Sequence, residues 1–238
     1  MTPSHLYNVL AANAAAFHPV VQFDPAKDKL LHLDFTAANS DLTDEVLGDV
    51  HLFSQYVRNL LNIGNYTYGI GGYDENRTVY SRSRVFDDAE EPRRLHLGID
   101  IWAPAGTPVY APLHGTVHSF GFNDNYGDYG ATIILQHDLE GIVFHTLYGH
   151  LGLHDLSGLQ QGQHVNAGDC FAHFGEAHEN GHWPPHLHFQ LVEKMHPYKG
   201  DYPGVCRLSE KVQYLANSPD PDVILNMMQY AAIALSQR

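Results

Sequence analysis

Five side chains in three short segments have the types and the spacing of a hydrolytic metal site. They are His96 and Asp100 in RLHLGIDIW, His150 in TLYGHL, and His186 and His188 in PPHLHFQL. Imidazole and carboxylate groups bind zinc, and a catalytic zinc site keeps one coordination position open for water. A structural zinc site would usually have four protein ligands and more cysteine. The set therefore predicts three metal ligands and two further imidazoles that take part in hydrolysis.

The segment HLHFQLV, residues 186–192, alternates polar and apolar side chains and predicts a strand. Because side chains two apart on a strand share one face, His186, His188 and Gln190 point one way. The leucines and the phenylalanine between them point into a core. One imidazole then binds a metal while the other reaches a metal-bound water or the substrate. Gln190 either orients a metal ligand or faces solvent.

The pair His96 and Asp100 obeys a different constraint, because four residues of extended strand span roughly 13 Å. Two ligands that far apart cannot share one ion at about 2 Å each. The chain must therefore bend between them, and Gly98 permits that bend. A helix would also bring positions i and i+4 together. The isoleucines, prolines and glycines around this pair favour a strand edge instead.

The order of these motifs resembles the lysostaphin/LytM family of zinc metallopeptidases. H-x-G-x-D is followed by P-x-G-T-P-V-Y-A-P-x-x-G-x-V, then by Y-x-H-L and P-H-L-H-F, over about residues 95–192. The resemblance implies that His96, Asp100 and His188 bind one zinc ion per chain. It implies that His150 and His186 assist catalysis. It also implies a small antiparallel β-sheet domain with the metal in a groove.

Other polar side chains near these motifs have more than one interpretation. His145 lies five residues before His150, so the two would face opposite sides of a regular strand. The Y-x-H-L context favours His150 as the site residue. Glu75 and Arg77, in GGYDENRTVYSRS, either cover the groove or form an internal salt bridge.

The segment EAHENGHWPP, residues 176–185, departs from the family pattern. Relatives usually carry a Thr-Gly and a Ser/Thr-rich turn at this point, so the substrate class is expected to differ. Because the segment directly precedes the strand that carries His186, its backbone should lie beside the metal. Trp183 either forms a groove wall or fills a hydrophobic space under the loop. His178 and His182 are expected to be solvated.

Composition limits the partners and the location of the protein. The formal net charge is −14, which makes nucleic acid an unfavourable partner. No stretch approaches the roughly 20 apolar residues of a membrane span, and the first residues do not have the pattern of a secretory signal. We therefore expect a cytoplasmic protein, and the family resemblance implies that it acts on a peptide or a small amide. Cys170 and Cys206 form no metal or redox motif and are expected to be reduced thiols.

The sequence predicts a mainly β protein with helices at both ends. Helices are expected at residues 4–16, with Ser4 as a cap, at residues 44–62, with Gly64 as a stop, and at residues 222–235. The clearest strands are ATIILQH, GIVFHTLYGHL and DCFAHF.

The expected fold class is an antiparallel β-sheet or barrel-like metallopeptidase core with flanking helices. Residues 1–65 would form a helical extension packed on the core, residues 66–205 the metallopeptidase domain, and residues 206–238 a helical tail.

Three functions fit these observations. The first is a zinc endopeptidase or amidase that cleaves peptides of the peptidoglycan cross-link type, as the family does. The second is a cytoplasmic zinc hydrolase of a small amide, which the altered loop and the acidic charge favour. The third is a binding module without activity on the same scaffold. Inactive relatives usually lose ligands, and none of the five residues is missing here.

Overall fold

A nine-stranded sheet carries most of the predicted site residues. The computed structural model of the protein describes residues 4–83, 86 and 91–233. From edge to edge the strands are β13 (Ala231–Ile233), β1 (Leu30–His32), β2 (Tyr68–Gly71), β4 (Ile99–Trp102), β11 (His186–Val192), β8 (Ile142–Leu151), β7 (Gly130–Leu139), β6 (Gly115–Asn123) and β9 (His164–Val165). Two further pairs join β5 (Pro108–Tyr110) to β10 (Cys170–His173) and β3 (Leu95–His96) to β12 (Val205–Cys206).

The mainly β fold class is confirmed, and the sheet is open. Within the described ranges, the edge strands β13 and β9 do not pair with each other, so the sheet does not close into a barrel. Strands from β2 to β9 pair antiparallel, whereas β1 pairs parallel with both β2 and β13. The sequence predicted the antiparallel part and missed the parallel edge.

The described residues form five α-helices, three before residue 65 and two after residue 210. They are α1 (His5–Ala12), α2 (Asp44–Gly48), α3 (Val50–Ile63), α4 (Lys211–Asn217) and α5 (Asp222–Leu225). The Ser4 hydroxyl accepts a hydrogen bond from the Tyr7 amide at 3.1 Å, which confirms it as the cap of α1. The helix predicted at residues 44–62 is divided in two because Asp49 leaves the helical conformation and caps α3 with its carboxylate. Among the described residues, none of the helices has the length and apolarity to span a membrane.

The helix predicted at residues 222–235 is confirmed at Asp222–Leu225 and is wrong over the rest of its described part. The α5 helix ends because Asn226 adopts a left-handed φ of 51°. The Asp222 carboxylate then accepts hydrogen bonds from the amides of Met227 and Met228 at 2.9 and 3.0 Å, in place of helical carbonyls. The chain continues into β13, and residues 234 and 235 lie outside the described part. The C-terminal region therefore contributes a strand as well as helices.

The N-terminal region is not purely helical either, because β1 extends the sheet. Leu30 and Leu31 alternate across this strand and are buried in different apolar clusters. The boundaries predicted at residues 65 and 205 therefore do not coincide with an edge of the sheet, and the three-region division remains a prediction.

Two apolar clusters cover the two faces of the central strands. On β4, Ile99 and Ile101 belong to the first cluster, whereas Trp102 belongs to the second. Phe53 and Val57 of α3 are buried in that second cluster. The helix α3 therefore covers the face on which Asp100 and Trp102 lie. Each buried side chain of this size contributes roughly 1.5–3 kcal/mol to holding the helix there.

Candidate metal centre and active site

Strand register brings two predicted ligands together. The antiparallel pairing of β4 with β11 places Asp100 opposite His188 and Trp102 opposite His186. The Oδ1 atom of Asp100 lies 3.1 Å from Nδ1 of His188. The alternation predicted for β11 is confirmed, because Leu187 and Phe189 belong to the first apolar cluster on the other face.

The third predicted ligand reaches this pair because the chain bends between β3 and β4. The Nε2 atom of His96 lies 3.2 Å from Oδ1 of Asp100 and 2.9 Å from Nδ1 of His188. Gly98, within the bend, also leaves space for a ligand. A Cβ atom at Gly98 would lie 2.6 Å from the His188 ring and 2.8 Å from the Phe189 carbonyl oxygen. The sequence predicted the bend, whereas the contact with His188 is visible only in the structure.

Hydrogen bonds assign the protonated nitrogen in each ligand ring. Nδ1 of His96 lies 2.9 Å from the Gly72 carbonyl, which only accepts, so Nδ1 carries the proton. Nε2 of His188 lies 2.9 Å from Oε1 of Gln190. The Gln190 amide group donates to the Pro203 carbonyl and to the Ser218 hydroxyl, at 3.2 and 3.0 Å, which leaves its Oε1 as an acceptor. Nε2 of His96 and Nδ1 of His188 therefore both present lone pairs.

This donor set fits a small divalent cation. Two lone-pair nitrogens and one carboxylate oxygen lie 2.9, 3.1 and 3.2 Å apart, and all three side chains are buried. Tetrahedral zinc with bonds of about 2.0–2.1 Å separates its ligands by about 3.3 Å. With each ring proton held by another acceptor, all three atoms direct lone pairs toward one point, which is an arrangement that binds a cation. His96, Asp100 and His188 together could hold one metal ion.

The second carboxylate oxygen of Asp100 is held by a buried arginine. Arg77 is 1% exposed, and its guanidinium pairs with Asp100 Oδ2 and, at 2.6 Å, with Glu75. Of the two interpretations from sequence, the internal salt bridge is present. Burial would raise the pKa of Asp100, but His96 and Arg77 hold that pKa well below its usual value. Asp100 is therefore a carboxylate at neutral pH, with one oxygen directed to the metal position.

The two predicted catalytic histidines have the same arrangement as each other. Nδ1 of His150 donates to the Asn180 carbonyl and Nδ1 of His186 to the Pro184 carbonyl, both at 2.8 Å. Each Nε2 therefore keeps a lone pair, and the two ring centroids are 4.0 Å apart. Burial lowers the pKa of His186 to about 4 and that of His150 well below its usual value. Both rings are neutral at pH 7 and can accept a proton.

The loop of residues 176–185, whose sequence departs from the family pattern, positions His150. Asn180 is fully buried and its amide group donates to the carbonyls of Gly175 and Trp183, at 3.2 and 3.1 Å. The backbone carbonyl of Asn180 accepts the hydrogen bond from Nδ1 of His150. His150 itself has a φ of 62°, an uncommon conformation outside glycine that directs its ring at the end of β8. Asn180 was not identified from sequence, because its role depends on contacts that no local motif indicates.

Trp183 is buried among aromatic rings, at 4% exposure. Its ring centroid lies 6.4 Å from Phe53 and 6.3 Å from both His150 and His186. The structure therefore supports the packing interpretation, although the side chain also lines the cavity that contains the site. His178 is exposed, as expected, whereas His182 is half-buried and stacks on Tyr126.

Tyr129 is a second site residue that sequence did not identify. Its hydroxyl lies 3.3 Å from Nε2 of His188 and 3.4 Å from Oε1 of Gln190. Burial raises the pKa of Tyr129 well above its usual value, so the hydroxyl keeps its proton. Glycines at 149 and 204 leave room for the side chain, since a Cβ there would lie 2.4 Å from the ring and 2.0 Å from the hydroxyl oxygen respectively. His145, the sequence rival of His150, packs elsewhere, against His118.

Comparison with known proteins finds a family match within the chain. Residues 94–199 match the family described as Peptidase family M23. This segment includes all five predicted site residues. The resemblance to lysostaphin and LytM is confirmed by this match.

The curated relatives are larger proteins. DD-carboxypeptidase/endopeptidase Mpg of Neisseria meningitidis serogroup B (strain ATCC 13091 / M2091) is 29% identical over 177 residues, which are 70% of this chain and 38% of that protein. L-Ala--D-Glu endopeptidase of Bacillus subtilis (strain 168) is 31% identical over 124 residues, 49% of this chain and 36% of that protein. The chain thus spans well under half the length of each.

Solved structures with detectable likeness include lysostaphin from Staphylococcus simulans. It is 27% identical with a TM-score of 0.37, over 58% of this chain and 46% of lysostaphin. A zinc containing peptidase from Vibrio cholerae is 30% identical with a TM-score of 0.33, over 41% of this chain and 27% of that one.

Proposed function

We propose that the protein is a zinc-dependent hydrolase of peptide or other amide bonds. The observation that carries this proposal is the convergence of three lone-pair donors, with two further neutral imidazoles beside them. His96, Asp100 and His188 would hold the ion through Nε2, Oδ1 and Nδ1 respectively. Zinc in such a site lowers the pKa of a bound water toward about 7 and polarises a carbonyl group.

In this proposal His150 and His186 act through their Nε2 atoms. Each Nε2 has a lone pair, because the proton of each ring is held at Nδ1 by a backbone carbonyl. One ring accepts the proton of the attacking water and delivers it to the leaving amine. The Nε2 atom of the other ring also only accepts, so this ring takes a hydrogen bond from the attacking water and orients it. Both rings have the same hydrogen-bond arrangement, so either ring can take either role.

The relatives support peptides as substrates, of the kind found in peptidoglycan cross-links. Their names describe a DD-carboxypeptidase/endopeptidase and an L-Ala--D-Glu endopeptidase. The chain spans only 38% and 36% of those proteins, so the peptide substrate is a proposal for this chain.

A second candidate substrate is a small amide in the cytoplasm. The burial of the site favours it, because none of the five side chains is more than 6% exposed. An extended cross-linked peptide needs an open groove, whereas a small amide can be enclosed. The net charge of −14 also disfavours contact with an anionic cell wall.

Zinc-loaded protein should be tested on muropeptides, on glycine- and D-amino-acid-containing peptides, and on small N-acyl amino acids. We expect cleavage by the wild type and a loss of at least about 100-fold in His150→Ala and His186→Ala, the usual scale for acid–base groups. Both variants should keep zinc. Binding of these compounds without cleavage by the wild type would identify a binding module instead.

A further inference from the structure

The cavity that contains the site also has a wall of apolar side chains. It has a volume of 260 Å³ and is lined on the metal side by Asp100, His150, His186 and His188. The apolar lining includes Phe35, Phe53, Val79, Tyr80, Trp102 and Trp183. Reactive groups and apolar wall therefore share one enclosure.

Trp102 connects this wall to a catalytic imidazole. Its ring stacks on His186 with centroids 4.0 Å apart and planes inclined by 12°. The same indole lies 5.1 Å from the Phe35 ring and 6.2 Å from the Phe53 ring. A substrate side chain in contact with Phe35 or Phe53 would therefore be separated from His186 only by the indole of Trp102.

The wall comes largely from outside the segment that matches the M23 family. Phe35 follows β1, Phe53 lies on α3, and Val79 begins the 3₁₀ turn Val79–Arg82, all before residue 94. Each of the three is 3% exposed or less. The N-terminal region thus does more than cover the sheet, because it supplies one side of the site.

We propose that this cavity is a specificity pocket for one large apolar or aromatic group beside the scissile amide. Pockets for drug-sized ligands measure roughly 300–1,000 Å³, so 260 Å³ accommodates a single side chain and not an extended peptide. The preferred substrates are short peptides or N-acyl amino acids with a leucine- or phenylalanine-like group. Glycine-rich bridges leave the pocket empty. This inference rests on the proposed hydrolase function.

The test compares kcat/KM for matched amides that carry glycine, leucine or phenylalanine next to the scissile bond. We expect the wild type to prefer leucine or phenylalanine over glycine by roughly 10- to 100-fold, the scale of burying one such side chain. Val79→Phe fills the pocket and should reduce that ratio toward one. Val79→Ala enlarges the pocket and should shift the preference toward a naphthyl group. Equal or greater rates on glycine substrates in the wild type would overturn the proposal.

Val57→Phe is the matched control. Val57 is a valine of the same apolar cluster, 4% exposed, that is outside the cavity lining. This variant should keep the wild-type substrate preference. If Val79→Phe and Val57→Phe change the preference equally, general overpacking explains the effect and the pocket does not.

If the protein is not a hydrolase, the zinc-loaded wild type cleaves none of the amides. Calorimetric binding of the same compounds to the wild type then still tests the pocket. Tighter binding of the phenylalanine compound than of the glycine compound supports the pocket, and equal binding overturns it.

Discussion

Asp100 divides its two carboxylate oxygens between the metal position and Arg77. Oδ1 faces the two ligand imidazoles, and Oδ2 pairs with the guanidinium. A buried arginine without a partner would be strongly unfavourable, and here Glu75 and Asp100 compensate its charge together. The Arg77 side chain also lies over the Phe35 ring at 5.5 Å, which fixes its position. Arg77 therefore positions Asp100, the carboxylate proposed to bind the metal.

Arg77→Met should weaken both folding and metal binding. Removing the cation leaves the buried Asp100 carboxylate and the half-buried Glu75 carboxylate without their partner, and breaking a buried pair costs about 3–5 kcal/mol. Loss of such an outer contact typically reduces metal affinity by about 10- to 100-fold. Urea unfolding and zinc titration against a competing chelator measure the two effects. Arg58→Met, at an exposed position of α3, should change neither. Unchanged zinc affinity in Arg77→Met would contradict the positioning role.

The five predicted site residues could be read from sequence because their motifs are local. Alternation in HLHFQLV gives the shared face of His186 and His188, and the structure agrees. Arg77 was named from sequence with two interpretations open, and Tyr129 and Asn180 could not be found in this way. Each reaches the site from a different segment, and only the tertiary fold brings these segments together.

The loop of residues 176–185 is the element that orients His150. Asn180→Ala removes three hydrogen bonds of a buried amide group, to Gly175 and to both backbone groups of Trp183. The loop carbonyl that holds His150 should then lose its position, and we expect a fall in kcat of about 100-fold.

Zinc content in Asn180→Ala should stay at the wild-type value, as measured by metal analysis, since none of the three ligands lies in this loop. His178→Ala is the control, because His178 is an exposed residue of the same loop. Normal kcat in Asn180→Ala would show that the loop does not position the imidazole.

Helices with strong amphipathic patterns were predicted more accurately than helix boundaries that depend on capping. The region of α2 and α3 was found from its apolar spacing, but the break at Asp49 depends on a side chain bonding to backbone amides. The end of α5 likewise depends on the Asp222 carboxylate and on the left-handed Asn226. Spacing alone favoured a continuous helix there. The parallel pairing of β1 requires contacts between chain ends, which local patterns do not indicate.

At the scale of the whole molecule, buried neutral histidines make stability depend on pH. His137 is 1% exposed, and its ring nitrogens lie 2.9 Å from the His114 carbonyl and 2.7 Å from the Thr146 hydroxyl. Burial lowers the pKa of His137 to about 4, against about 6.5 in an unfolded chain. Between these values the unfolded chain binds a proton that the folded protein does not. Stability therefore falls as the pH is lowered from 6.5 toward 4.

His137→Gln should reduce this pH dependence. One such histidine contributes a slope of up to about 1.4 kcal/mol per pH unit, or about 2 kcal/mol between pH 7 and pH 5. Urea unfolding at the two pH values should show the wild type losing more stability than the variant by about that amount. The exposed His164→Gln should behave as the wild type. If the free energy of unfolding of His137→Gln falls between pH 7 and pH 5 as much as that of the wild type, the His137 ring is not the source of the pH dependence.

The central claim is that His96, Asp100 and His188 form one zinc site. The most direct test is the zinc content per chain of purified, dialysed protein, for the wild type, Asp100→Asn and Asp155→Asn. Asp155 belongs to a second, more exposed group of possible ligands with His154 and His173, and so provides a matched control. We expect one zinc per chain in the wild type and in Asp155→Asn, and a loss of most of it in Asp100→Asn. Full zinc occupancy in Asp100→Asn would show that Asp100 is not a zinc ligand.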